Sequence, residues 1–414
     1  MENNMSDEEQ VQVSYSRSLE EISEALDLAN VKESELKQIS QVLLPPTRGF
    51  EAADYRLIEL DSNLLKALEQ GSGLCFKGDD KTDRKAAVLC TKNRTYDIKD
   101  TEISDVLLLA PNVKLANDVG GVCPDPEDRV IEETRIHGQF HNYFEVKEYK
   151  PNLKELLTLL QPTAFDGLEY EKKLDRDKLY DWEKLENHIQ ASEDELREAF
   201  SEYLIADIDG YFRLVAFDFE ARAFGLMLDI LEENSWEIDE VDKEITYESL
   251  QEFMPRSVFD LIFHKYTEPG EKKNAKGETL WRYKEDKCCK FLAQILLAAS
   301  PVNNFDHFME SWTLAAPEKL KPDEKHLRGI ALVKWNPQKM KKEVISFSES
   351  HLSQDIVSRL NELFKVKDKW TVDEITPYIS RCTTPNADVN ALLTKYARSS
   401  AVNGIKYYSS KHGK

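Results

Sequence analysis

Ile205-Ala206-Asp207-Ile208-Asp209-Gly210-Tyr211-Phe212-Arg213-Leu214-Val215 is the stretch on which the fold turns. Two strand-like runs flank Asp209-Gly210, a dipeptide that readily adopts the left-handed conformations of a two-residue hairpin turn. Upstream, Ser192 with Glu195 three residues on forms a capping box and opens a helix to about Leu204, preceded by another over Trp182–Ile189. Downstream, residues 219–232 return to helix. Two helices followed by a short aromatic hairpin is the winged-helix plan, a helix-turn-helix variant.

The layout recurs twice. In the second copy Tyr247, Leu250 and Phe253 mark one helix, Pro255 starts another through Val258, Leu261 and Ile262, Thr279–Tyr283 gives a strand, and 287–299 is helical. In the third, helices are expected over 305–314, 356–364, 372–379 and 389–397, with a strand over 344–347. Asn403-Gly404 then turns into a strand over Ile405–Tyr408. Helical repeat arrays are the competing architecture, but they lack aromatic hairpins.

The part before these modules has a different texture. Residues 1–18 are polar, and Leu19, Ile22, Leu26 and Ala29 recur at helical spacing. Short strand patterns follow at 55–60, 74–77, 86–91, 95–98, 106–110, 130–136 and 142–147, with a short helix over 64–68. Many short strands separated by turns predict a small antiparallel barrel or sandwich. Leu153, Leu156, Leu157 and Leu160 then mark a helix. The expected fold class is α+β: an N-terminal antiparallel β-barrel-like domain followed by tandem winged-helix domains. The divisions are an acidic tail and short helix over 1–49, a β-rich region over 50–150, helix and linker over 151–178, and winged-helix modules over 179–240, 241–300 and 301–414.

Charge separates the three modules. The 414 residues carry 77 Asp and Glu against 55 Lys and Arg, a net −22, so any nucleic-acid contact must be local. In the first module Glu193, Asp194, Glu195, Glu198 and Glu202 stand against Arg197 alone, which repels phosphate and suits a protein partner or plain solvation. The second mixes lysines and glutamates over 265–287, as soluble surfaces do. The third ends differently. Asp388 is the last acidic residue, and Lys395, Arg398, Lys406, Lys411 and Lys414 follow it. Lys365, Lys367 and Lys369 lie just upstream. Contact with the DNA backbone is expected through this end; if roughly four phosphates are neutralised, log affinity falls with log salt at a slope near −4. Nothing in the pattern points to base-specific readout.

Catalytic motifs are missing: no G-x-x-x-x-G-K-[S/T], no G-x-G-x-x-G, no H-E-x-x-H. The eight histidines are scattered, and Cys288-Cys289 on an apolar helix reads as core rather than a metal site. Six cysteines without a C-x-x-C pair read as reduced thiols of an intracellular protein. The apolar run 291–299 is too short to span a bilayer, and residues 1–10 have no secretory h-region. Neither an enzyme, a cofactor nor a metal is expected.

Val88-Leu89-Cys90-Thr91-Lys92-Asn93-Arg94-Thr95-Tyr96-Asp97-Ile98 and the stretch from Gln190-Ala191-Ser192-Glu193 through Gly210-Tyr211-Phe212-Arg213 carry a resemblance. So, more specifically, do Trp370-Thr371-Val372-Asp373-Glu374-Ile375-Thr376-Pro377-Tyr378-Ile379, Ala391-Leu392-Leu393-Thr394-Lys395-Tyr396-Ala397-Arg398 and Asn403-Gly404-Ile405-Lys406. The chain resembles the Dcc family of sister chromatid cohesion proteins, accessory subunits of an alternative replication factor C clamp loader. The likeness runs from about 54 to 412, and nothing is carried over for the loops 112–129, 162–178 and 265–278.

The resemblance implies a nuclear, non-catalytic subunit that helps load or unload the sliding clamp PCNA at forks. It implies a β-barrel completed jointly with two chromosome-transmission-fidelity subunits, to which Leu74, Phe76, Val88, Cys90, Tyr96 and Ile98 belong here. The small replication factor C subunits would share the complex. It implies that the first winged helix docks the catalytic part of DNA polymerase epsilon, which assigns Glu195, Glu198, Glu202 and Tyr211. It implies that the last touches single- and double-stranded DNA without strong sequence preference, which assigns Lys395, Arg398, Lys406, Lys411, Lys367 and Lys369. The alternative is a stand-alone winged-helix DNA-binding regulator.

Overall fold

The computed structural model describes residues 18–30, 41–45, 55–78, 87–115, 132–151, 153–353, 355–383 and 387–411. The fold is mixed α and β, and the chain divides into two units, Met1–Glu59 with Asp100–Phe144 and Leu60–Lys99 with Glu145–Lys414.

In the first unit, helix α1 (Leu19–Leu28) opens with a capping box in which Ser18 and Glu21 bond each other's backbone N–H. Strand β1 (Gln41–Leu44) stops before Pro45, which has no amide hydrogen to donate. It pairs in parallel with Glu132–Arg135, from Gln41↔Glu132 to Leu44↔Arg135. That pairing corrects the expected all-antiparallel region. Residues 55–60 contribute only a bridge from Ile58 to Phe144, not a strand.

In the second unit, α2 (Ser62–Glu69) is capped by the Asp61 carboxylate. β2 (Cys75–Lys77) and β3 (Val88–Cys90) precede β4 (Thr95–Leu109). β4 absorbs both the 95–98 and 106–110 strands expected separately, because no Gly or Pro interrupts 95–109. β5 (Glu132–Arg135), the partner of β1, belongs to the first unit; β4 and β6 (Gly138–Tyr149) each have residues in both units, and the sheet order is β2-β3-β4-β6. Among the described residues no sheet closes into a barrel.

Helix α3 (Lys154–Leu160) and the single turn α4 (Leu168–Glu171) lead to the first module: α5 (Trp182–His188), α6 (Glu193–Glu202), β7 (Ile205–Ile208) and β8 (Tyr211–Leu214). After α7 (Phe217–Glu233) comes the second, α8 (Lys243–Leu250), α9 (Arg256–Tyr266), β9 (Thr267–Lys273) and β10 (Thr279–Tyr283). Then follow α10 (Glu285–Ala299), β11 (Val302–Asn304), α11 (Phe305–Ala315), β12 (Ala331–Asn336), β13 (Lys341–Ser346) and α12 (Ile356–Val366). The third module is α13 (Val372–Ile379), α14 (Val389–Tyr396), β14 (Ala397–Val402) and β15 (Ile405–Ser410). Four of these strands, β9, β11, β12 and β14, carry no clear alternation of apolar and polar residues and are not expected from the sequence.

The modules share a register. Tyr180, Val241 and Trp370 each immediately precede the N-cap of the module's first helix, Asp181, Asp242 and Thr371. Each forms an antiparallel bridge to an aromatic residue on the second hairpin strand: Phe212, Trp281 and Tyr408 respectively. The entering chain thus adds a third short strand to every hairpin. The turns Asp209-Gly210 and Asn403-Gly404 have positive φ at both residues, 55° and 86°, then 51° and 79°. These are the mirror-image turns that match strand twist, and a β-branched residue could not replace either glycine without strain.

Three apolar clusters hold the second unit. One joins Leu156 and Leu160 to Leu185, Leu196 and Phe200. A larger one joins α7, α9, α10 and α11, and takes in both Cys288 and Cys289 at 0% exposure. The last gathers Trp370, Tyr378, Leu393 and Tyr408. Removing a fully buried Trp from such a cluster costs about 3–5 kcal/mol.

Candidate nucleic-acid interface

The C-terminal hairpin is anchored at its base, where Ala397 and Tyr408 are buried in one cluster with Trp370. Trp370 N–H donates to the Tyr408 carbonyl at 3.0 Å and Tyr408 N–H donates back at 2.8 Å. The Trp370 indole, fully buried, donates to the Lys367 carbonyl at 2.8 Å. The rest of β14 and β15 projects outward, and Val402 and Ile405 at its tip are exposed.

Lys395 lies in the last turn of α14, Arg398 on β14, Lys406 on β15, and Lys411 just beyond. All four are exposed, and none has a carboxylate partner among the described residues. Lys411 Nζ donates to the Lys395 carbonyl, which brings these two residues to the same end of the hairpin. Lys395 Nζ lies 5.0 Å from the Tyr396 ring and Lys406 Nζ 5.2 Å from the Tyr408 ring. The pairings Ala401↔Lys406 and Arg398↔Ser409 put Lys406 and Arg398 on opposite faces, Lys406 on the face of buried Tyr408. The two cations therefore flank the hairpin rather than forming one stripe.

The upstream lysines differ. Lys369 is exposed, but Lys367 is paired with Glu374 at 2.8 Å and sits 5.4 Å from the Trp370 ring. Burial alone would push the Glu374 carboxyl up; hydrogen bonds from Lys367 and the Thr371 N–H outweigh it and hold the group below its ordinary range. Lys367 is thereby already neutralised from within.

The acidic residues assigned to docking also divide. Glu195 Oε2 accepts from the Ser192 hydroxyl at 2.6 Å and the Thr95 hydroxyl at 2.6 Å, so it fastens β4 to the start of α6. Glu202 pairs with Arg381, whose guanidinium also reaches the Tyr203 hydroxyl and Glu349 at 3.0 Å. Glu198 is exposed and without an ion pair among the described residues, and Tyr211 is half-buried on β8. Of the four, Glu198 alone presents a carboxylate not engaged by the fold.

The residues placed in the barrel separate in the same way. Val88, Cys90 and Tyr96 are buried, Leu74 and Ile98 are half-buried, and Phe76 on edge strand β2 is 55% exposed. In the first unit, Val106, Leu107, Leu108 and Leu109 of β4 are 40–47% exposed. Alternate strand residues face opposite sides, so four consecutive exposed apolar residues mean that neither face is covered.

Three arginines have roles that the sequence alone does not reveal. Arg213 is buried against Glu171 at 2.9 Å, Arg359 against Glu349 at 2.8 Å and the Tyr378 carbonyl at 2.7 Å, and Arg381 joins the first module to the last. A lone Arg in an apolar strand, such as Arg213 between Phe212 and Leu214, is the available signal.

The profile of the family described as "Sister chromatid cohesion protein Dcc1" matches residues 55–379, a segment that ends before α14 and the basic hairpin. The chain is 32% identical over 397 residues to "Sister chromatid cohesion protein DCC1" of Danio rerio, covering 95% of this chain and 98% of that one. It is 32% identical over 399 residues to the Homo sapiens protein of the same name, with 95% and 98% covered. The protein of that name from Saccharomyces cerevisiae is 23% identical over 377 residues, with 83% and 93% covered. From the matched core through to nearly full-length agreement with these relatives, the chain belongs to the Dcc1 family of sister chromatid cohesion proteins.

Proposed function

We propose that this chain acts in sister chromatid cohesion as a non-catalytic subunit of an alternative replication factor C clamp loader, tethering loader, leading-strand polymerase and fork DNA for PCNA loading or unloading. The observation that carries the reading is the run Val106–Leu109. An unbroken apolar run belongs to a strand covered on both faces, yet here both faces are open. Contiguous exposed apolar surface of this kind marks an interaction site, and two partner subunits supplying strands would cover it.

The repeated bridge from Tyr180, Val241 and Trp370 onto each hairpin supports the winged-helix reading of the three modules. The exposed cations on the last hairpin support backbone contact with DNA, and exposed Glu198 supports polymerase docking by the first. A weak DNA contact suffices in such an assembly, because tethering raises its effective concentration.

Co-expression with the two chromosome-transmission-fidelity subunits tests the reading. A stoichiometric complex that survives gel filtration is the expected result. Recovery of this chain alone, folded and monomeric, would sink it.

A further inference from the structure

Within the second unit, a cavity of about 440 Å³ opens between α2 and the turn joining β3 to β4. Lys66 reaches its wall from α2, Lys92 and Arg94 come from the turn, and Asp194 is the carboxylate among its lining residues. Arg94 is bonded to Glu148. Lys66 and Lys92 are exposed and have no carboxylate partner among the described residues.

Tyr96 lines the same cavity, is 1% exposed, and its buried hydroxyl has no hydrogen-bond partner among the described residues. A buried polar group left unpaired costs about 1–3 kcal/mol, so the hydroxyl calls for an acceptor. Burial, followed by the nearby Asp61 and Glu148 charges, pushes this phenol up to about 12, so it is a proton donor throughout the neutral range. A buried donor beside two unpaired ammonium groups suits an oxyanion.

The surroundings decide what carries that oxyanion. Asp194 lines the wall, and the Asp61 and Glu148 charges act on Tyr96 from behind it, so a polyphosphate backbone running through the cavity would meet like charge beside any seated phosphate. A single anionic group at the end of a flexible side chain avoids this. We infer that the cavity between α2 and the β3–β4 turn takes one oxyanion, carboxylate or phosphate monoester, from an acidic or phosphorylated side chain of a protein segment. The inference is separate from the DNA reading and uses none of its residues.

The full chain labelled with 3-fluorotyrosine gives a direct readout by ¹⁹F NMR, with the Tyr96 resonance assigned by its loss in Tyr96→Phe. O-phosphoserine and, separately, glutamate are titrated at constant ionic strength. At least one should move the Tyr96 signal saturably with a Kd on the order of 1 mM, and which one does identifies the oxyanion. Lys66→Gln combined with Lys92→Gln, both exposed positions, should weaken that binding about tenfold. Calorimetric titration of the wild type and this double variant gives the same comparison without any tyrosine substitution, should Tyr96→Phe fail to fold. No response to either probe, or an equal response in the double variant, would overturn the assignment and leave the hydroxyl solvated by water alone. A stronger response to oligothymidylate at equal phosphate concentration would overturn the choice of a protein segment.

Discussion

Thr95 donates its hydroxyl hydrogen to Glu195 Oε2 across 100 residues of sequence, at 2.6 Å. The same Thr95 oxygen accepts the Ser192 N–H at 2.8 Å, while the Ser192 hydroxyl donates to Glu195. The helix cap of α6 and the first residue of β4 are therefore one hydrogen-bonded unit.

Glu195→Ala should accordingly destabilise the protein by about 1–3 kcal/mol, since it strips a cap and leaves a buried Thr hydroxyl without an acceptor. Glu198→Ala, on the exposed face of the same helix, should change stability by under about 0.5 kcal/mol. Urea denaturation of both variants checks this. The comparison also sets how the proposed polymerase docking should be probed, because Glu198 is the assigned carboxylate that the fold does not engage.

Glu202 and Arg381 sit on different modules, and their side chains are 54% and 42% exposed. Exposed pairs contribute little, but Arg381 also holds Glu349, which in turn holds buried Arg359. A double-mutant cycle on Glu202→Gln and Arg381→Gln should give a coupling of about 0.5–1 kcal/mol at low salt, shrinking as salt is raised. Zero coupling at low salt would mean the two modules are joined by other contacts.

Legibility in the sequence depends on whether a signal is local. Asp209-Gly210 and Asn403-Gly404 announce their hairpins through backbone chemistry alone, and Ser192 with Glu195 announces a cap. Strands β9 and β14 are half of a pairing whose other half carries the aromatic residues, whereas β12 holds the aromatic of its pair, Trp335, opposite Lys342 of β13. Thr267–Lys273 contains Pro269, Gly270 and two lysines, so nothing in it reads as strand until β10 is placed alongside. The parallel pairing of Gln41–Leu44 with Glu132–Arg135 joins segments about 90 residues apart, beyond any local pattern. Candidate cations are easy to name from sequence, but which of them are already paired is not. Lys367 and Lys369 are near neighbours in sequence, and only the fold brings Glu374 to one of them.

That difference yields a DNA-binding test. Reversing Lys395, Arg398 and Lys406 to Glu should weaken binding to duplex DNA and lower the salt slope by about 0.9 for each phosphate no longer neutralised. Because Arg398 and Lys406 lie on opposite faces of the hairpin, the single variants should have roughly additive effects. Lys367→Gln should change affinity little, its charge being already met by Glu374. Fluorescence anisotropy across a salt series measures all of these. An unchanged slope in the triple variant would remove the hairpin from the interface.

Two histidines give the fold a pH dependence. His264 accepts from Lys243 Nζ at 3.2 Å, and His326 Nδ1 accepts the Asp323 N–H at 3.2 Å, arrangements that require the neutral ring. Burial first, and then the neighbouring Lys243 and Lys325 charges, lower both below 6.5. With the folded value below the unfolded one, the unfolded chain binds protons first as pH falls. The stabilisation is complete above about 6.5 and is lost between there and the lowered value. Thermal unfolding should move to lower temperature between pH 7.5 and 5.5, and the shift should shrink in a His264→Gln, His326→Gln variant.

Strand alternation makes Val106–Leu109 a test that distinguishes the two faces of β4. Val106 and Leu108 point to one side, Leu107 and Leu109 to the other, and all are exposed in this chain. Aspartate at any of them should leave the isolated protein within about 0.5 kcal/mol of wild type, because little apolar packing is removed. In an assembled barrel, one side becomes interior and the other is covered only if a further element packs there. Val106→Asp with Leu108→Asp and, separately, Leu107→Asp with Leu109→Asp should then differ in complex formation. The interior-facing pair should weaken assembly at least about tenfold, the scale of a buried interface anchor. Equal, full-strength assembly by both double variants, measured by co-purification with the partner subunits, would show that this strand is not where the partners attach.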